Sequence, residues 1–261
     1  MVSNGGAVWQ PDGWDARTRI GVLTPHADLG PESELQAMAP SGVRIHAARV
    51  PFGAMASGGA MSRTIPLAPV EAFVRPPHID EALALLAAAP LGAIGIGFTS
   101  AGYVVGAAGE RKLIERLHER GSGVPIISTC ASAVEGLREL KAERIALFDP
   151  PWFDAELNRL GAEYFGSQGF EVRYHAPCGL PSRQQSINPA ELYRWIRDHT
   201  PAEADAIFVG GNGFRAVGVI AALEEDLGRP VLTANQALLW TTLRAAGSHA
   251  KPAGYGALFA L

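Results

Sequence analysis

Three segments of the first half of the chain return in the second half, in the same order. RIGVLTP at 19–25 is echoed by RIALFDP at 144–150, AIGIGFT at 93–99 by AIFVGGN at 206–212, and GVPIIS at 123–128 by GRPVLT at 228–233. One such echo would mean little, because any two strand–helix units resemble each other. Three in one order point to two related lobes. Each echoed segment is a short run rich in Val, Ile and Leu, as buried parallel strands are. Strands are predicted at 19–23, 43–50, 93–98, 125–128, 144–148, 170–174, 206–209 and 230–233. Helix-period segments alternate with them at 78–89, 110–120, 131–141, 154–167, 189–198, 214–227 and 235–246. Alternation of this kind builds right-handed βαβ units. The expected fold is therefore α/β. It has two pseudo-symmetric doubly wound lobes, each a mostly parallel sheet flanked by helices, with a cleft between them. The first lobe is assigned 19–128 plus 235–261, the second 129–234, and residues 1–18 form an N-terminal extension.

Composition narrows the partners. Of 261 residues, 48% are hydrophobic and 18% charged, which suits an ordered chain with a real core. The net charge is −4 with no basic stripe, so nucleic acid is not an expected partner. No apolar run approaches the ~18 residues of a membrane span, and no membrane partner is expected. The first residues lack a basic segment followed by an apolar one, so the expected location is cytoplasmic. The two cysteines, Cys130 and Cys178, form neither C-x-x-C nor zinc spacing. They fit a reducing compartment and suggest no metal. Each reads first as a small packed residue.

Candidate chemistry gathers at the carboxyl ends of the strands, where α/β sheets bind ligands. GFTSAGYVVG at 97–106 reads as a glycine- and hydroxyl-rich turn after the strand at 93–98. Gly210-Gly211-Asn212-Gly213 is its counterpart in the second half. Facing each other, the two turns would offer backbone N–H groups to an anion. The loop at 51–62, small and Met-bearing, is either a lid over the cleft or a mobile surface loop. No G-x-G-x-x-G opens a helix after the first strand and no G-K-[ST] occurs, so a nucleotide is not expected.

The two lobes, the paired turns and the ending KPAGYGALF at 251–259 together resemble the aspartate/glutamate racemase superfamily. The resemblance is to its arylmalonate decarboxylase and maleate cis-trans isomerase branch. Further supports are Leu23-Thr24-Pro25 followed by Glu32, AVEGL at 133–137, and Asp205-Ala206-Ile207 leading to LGRPV at 227–231. The resemblance implies enzymes that need no cofactor. Many use two cysteines, one per lobe, on opposite faces of the substrate. Here the matching positions hold Phe98 and Gly211, so the resemblance also implies that the usual thiol chemistry is missing.

Within that resemblance, Thr99 and Ser100 match a hydroxyl pair that binds a carboxylate, although both types also cap helices. Asn212 would donate to a second carboxylate or an enolate oxygen, or serve as a left-handed turn residue. His26, after Pro25, is a candidate acid/base, with Asp28 orienting it or capping the next helix. Trp152 matches a substrate-binding tyrosine. The segment at 178–185 would line the pocket, with Arg183 suited to an acidic substrate. Cys130 would lie at the cleft floor, and Phe98, Gly211 and Gly213 would wall the site. The expected function is cofactor-independent decarboxylation or cis-trans isomerisation of a small carboxylic acid through an enolate or enediolate. The alternative is a non-catalytic carboxylate-binding protein. A homodimer is compatible with the resemblance alone.

Overall fold

The first long strand, β1 (Thr18–Pro25), is buried from Ile20 to its end. It pairs in parallel with β2 (Val43–Val50) on one side and β3 (Ala93–Ile96) on the other, and β3 pairs with β4 (Ile126–Ser128). The sheet order is β2-β1-β3-β4. A second parallel sheet runs β6 (Glu171–Pro177), β5 (Arg144–Asp149), β7 (Ala206–Val209), β8 (Val231–Thr233). The echoed segments occupy equivalent positions, β1 with β5, β3 with β7 and β4 with β8. The register repeats as well: Ile20 lies opposite Ala93, and Ile145 opposite Ala206. This computed structural model describes residues 3–4, 7–8, 10 and 12–261. Of the expected N-terminal extension, positions 1, 2, 5, 6, 9 and 11 lie outside the described residues.

Helices cover the sheets: α1 (Gly30–Met38), α2 (Leu67–Val74), α3 (His78–Ala87), α4 (Thr99–Arg120), α5 (Thr129–Glu139), α6 (Ala155–Ser167), α7 (Pro189–His199), α8 (Ile220–Leu227) and α9 (Ala234–Ala245). Although it follows the last strand of the second sheet, α9 lies on the first. A Cβ added to Gly95 of β3 would sit 3.0 Å from Leu238 Cδ1 of α9, so glycine there lets the helix approach. The Thr233–Gln236 capping box starts α9. Among the described residues no helix is long and apolar enough to cross a membrane.

Three expectations are corrected. GFTSAGYVVG is mainly helix: residues 99–105 begin α4 directly after β3, and the break comes at Gly106 (φ 65°, ψ 169°). Its glycines read as turn residues, but Gly102 serves packing, since a Cβ there would lie 2.7 Å from Cys130 Sγ. The helices α1 and α2 are not among the predicted helical segments. Finally, α8 starts at Ile220, not 214, because Phe214 donates its N–H to the Gly211 carbonyl in the turn after β7.

The loop at 51–62 folds on itself through an antiparallel Met55–Met61 bridge around a 3-10 turn, Ser57–Gly59, with Gly58 at φ 77°. Just beyond it the chain docks on the second lobe. Ile65 N donates to Trp152 O at 2.9 Å, and Ser182 Oγ to Arg63 O at 2.6 Å.

Candidate active site

The carboxyl ends of β1, β3, β5 and β7 converge on a cavity of about 20 Å³ between the lobes, room for about one water. First-lobe walls are Pro25, Asp28, Phe52, Phe98, Thr99 and Ser100, with Met55, Met61 and Ile65 from the 51–62 loop and its continuation. The second lobe brings Trp152, Phe153, Gln184, Gly211, Asn212 and Gly213. Most of this wall is apolar. Phe98 stacks within an aromatic cluster, 4.2 Å from Phe73 and 4.9 Å from Phe52 between ring centroids. Trp152 meets Phe214 edge-on at 5.6 Å.

The two turns do meet, and they grip each other. Asn212 Oδ1 accepts from Thr99 N and Thr99 Oγ1, both at 2.7 Å. Gly211 N donates back to Thr99 Oγ1 at 3.1 Å. Asn212 Nδ2 donates to Thr129 Oγ1 at 3.0 Å and Asn235 Oδ1 at 2.8 Å. The carboxamide oxygen thus sits where an anion would at the start of α4. The network continues inward: Asn235 Nδ2 donates to Glu34 Oε2, whose other oxygen accepts from Ala216 N and Val217 N. Burial pushes the Glu34 carboxyl up to about 7.

Ser100 differs from its neighbour. It lines the cavity, and among the described residues its buried hydroxyl has no hydrogen-bond partner. A buried unpaired hydroxyl is costly, so this group is left ready for a ligand. Asp28 also lines the cavity and is 5% exposed. Its Oδ1 accepts from Gly30 N at 2.8 Å. Burial pushes its carboxyl up to about 6, against the pull of the Gly30 N–H, a Gln184 hydrogen bond and the Arg49 charge.

Three expected site residues lie elsewhere. His26 is exposed and outside the cavity, because its Nδ1 accepts from Phe52 N at 3.1 Å and turns the ring away. Arg183 is exposed at the surface, and its neighbour Gln184 reaches the cavity instead. Cys130 is buried behind α4, its Sγ donating to Thr99 O at 3.3 Å, so it forms no floor to the cavity. Cys178 does not line it either. Burial pushes both thiols up. Pro25, Asp28, Phe98, Thr99, Ser100, Trp152, Gly211, Asn212 and Gly213 all line the cavity. Of the segment at 178–185 only Gln184 lines the cavity, and reasoning from sequence missed Phe153 and the Glu34–Asn235–Thr129 network. Thr129 and Asn235 follow echoed strands, a signal that could have drawn attention to them.

Two matching lobes that close a cavity between their carboxyl strand ends are the architecture of the Asp/Glu racemase superfamily. The sequence profile of the arylmalonate decarboxylase family matches residues 70–259, and the chain belongs to that family. It is 24% identical over 247 residues to a maleate isomerase of Pseudomonas putida, covering 92% of this chain and 96% of that protein. A match to the maleate isomerase of Geobacillus stearothermophilus, 25% identical over 138 residues, spans about half of each (52% and 54%). Among solved structures, the fold resembles the maleate isomerase Iso of Pseudomonas putida S16 (TM-score 0.80, 21% identity, 93% and 98% of the two chains). It also resembles a mutant Nocardia farcinica maleate cis-trans isomerase with a covalently bound succinylcysteine intermediate (TM-score 0.79, 22%, 93% and 98%).

Proposed function

We propose that the protein is a cofactor-independent lyase or isomerase acting on a small carboxylic acid through an enolate- or enediolate-like state. The observation that carries this reading is the Ser100 hydroxyl, unpartnered among the described residues and buried on the cavity wall beside the start of α4. A donor already desolvated there gains most when charge builds up on a carboxylate oxygen. In a decarboxylation, the C–CO₂ bond breaks and its electron pair moves onto the remaining carboxylate. Ser100 O–H donates to that oxygen while the aromatic walls keep water out. Thr99 and Asn212 act one step back: they fix the two turns and hold Ser100 in place. The cavity is too small for such a substrate with Met55 and Met61 where they are, so binding in this reading requires the lid to lift. The family membership supports an enzyme of this type, and the buried free thiols suit a reducing, cytosolic setting.

One observation favours a second reading, a carboxylate-binding protein without turnover: neither thiol lines the cavity. One experiment separates the two. Malonates with small or aryl substituents, and maleate, are incubated with the protein under chelation and followed by NMR, with thermal shift in parallel. Turnover that falls at least tenfold in Ser100→Ala is the expected result. Ligand-induced stabilisation without turnover supports the binding protein. Turnover unchanged in Ser100→Ala removes Ser100 from the site.

A further inference from the structure

We propose that Asp28 is the acid that protonates the α-carbon of the enolate or enediolate, taking the part that a thiol would play. This rests on the functional reading above and names the proton donor within that same site. Among the described residues lining the cavity, Asp28 is the only ionisable one. The alternatives are removed by position: His26 faces solvent, and both thiols lie outside the cavity.

The side chain is held for the task. Gly30 N–H fixes Oδ1. Oδ2 then points toward Gly213, where an added Cβ would be only 2.7 Å away. The missing side chain at 213 gives that oxygen its space. The charged groups around Asp28 come from several elements. Arg49 of β2 favours its ionisation, and the Asp28 charge in turn helps push up the carboxyl of Glu34 of α1. Arg49 itself is engaged by Glu32 and by the Asp28 carbonyl. Gln184 adds a neutral hydrogen bond from the second lobe, and His26 lies exposed two residues before. The resulting carboxyl, at about 6, is populated in both forms near neutrality, as a general acid should be.

The step balances. After CO₂ leaves, the enediolate carbon takes the proton from Asp28 Oδ2: a C–H bond forms, the O–H bond breaks, and Asp28 remains as carboxylate. Solvent restores the proton. An open hollow of about 520 Å³, lined by Gly30, Glu34, Gln184 and Gly213 among others, shares Gln184 and Gly213 with the cavity that Asp28 lines, and in this reading the proton returns past those two residues.

The test uses the full chain in two arms. In the first, Asp28→Asn keeps an oxygen for the Gly30 N–H and removes the acid. With a malonate that the wild type turns over, kcat is expected to fall by about 10²-fold or more while KM stays within about threefold. The wild-type loss of kcat as pH rises above about 6 should vanish in the variant. A kcat within threefold of wild type, or an unchanged pH profile, overturns the assignment and leaves the Ser100 reading standing. The second arm needs no variant and no turnover. The ¹³C-carboxyl resonance of Asp28 is titrated in the wild type with and without malonate. A midpoint near 6 that rises by half a unit or more with malonate is expected. An ordinary midpoint near 4, or no response to malonate while thermal shift reports binding, overturns the proposal whatever the kinetics show. Absence of turnover with every acid tested overturns both this assignment and the enzymatic reading.

Discussion

Replacing Asn212 with alanine should loosen the junction between the lobes. The wild-type carboxamide makes contacts of 2.7, 2.7, 2.8 and 3.0 Å to Thr99 N, Thr99 Oγ1, Asn235 Oδ1 and Thr129 Oγ1. Not all of these partners are stranded by the change. Thr129 Oγ1 keeps its donation to Ile96 O at 2.8 Å, and Thr99 Oγ1 keeps the Gly211 N–H. The Thr99 N–H and the Asn235 oxygen are left without these bonds. Two orphaned buried groups cost about 1–3 kcal/mol each. The vacated space admits a water, which pulls the sum toward the lower end. A loss of about 3 kcal/mol is expected, or roughly 6–12 °C in Tm for a chain of this size. Urea unfolding with an unchanged m-value measures it. A cycle with Thr99→Val sharpens the test, because both changes break the same contacts. The double variant should cost at least about 1 kcal/mol less than the sum of the singles. A single-variant loss under about 0.5 kcal/mol, or strict additivity in the cycle, would refute the idea that this pair ties the lobes.

Two further predictions concern groups beneath the site. Asp149 is fully buried and accepts from Tyr103 Oη at 3.1 Å and Asn158 Nδ2 at 2.7 Å; burial pushes its carboxyl up to about 7. The unfolded chain gives up this proton near pH 3.8. Between about 4 and 7 the native state therefore binds more protons than the unfolded one, and stability falls as pH rises. Asp149→Asn removes the effect, so its stability relative to wild type should improve by on the order of 3 kcal/mol from pH 4 to pH 7.5. Denaturant titrations at the two pH values check it, and a pH-independent difference would sink the argument. Gly211 sits at φ 83°, and a Cβ there would collide with the Pro150 ring. Gly211→Ala should destabilise by about 3 kcal/mol from backbone strain and overpacking together, measured by thermal unfolding; a neutral result would mean that Pro150 yields freely.

The chain's order of apolar runs was enough to determine two related parallel sheets. Buried parallel strands need continuous Val/Ile/Leu segments, and that requirement is local. The same segments placed the cavity, since a strand's carboxyl end is known once the strand is. Together with the family resemblance, that placed Phe98, Ser100, Trp152 and Gly211 at the site, and all four line the cavity. What each polar group does there was not legible. Thr99 and Asn212, far apart in sequence, could equally have faced a ligand. Only the packing of the two lobes turned them toward each other. His26 and Asp28 stand two residues apart on one loop, and sequence favoured His26 as the only histidine at a predicted carboxyl strand end. The fold instead binds the His26 ring to Phe52 N and buries the Asp28 carboxyl on the cavity wall. Desolvation belongs to the surroundings of a group, so the tertiary structure alone decided that the Asp28 carboxyl is buried and pushed up while His26 lies exposed.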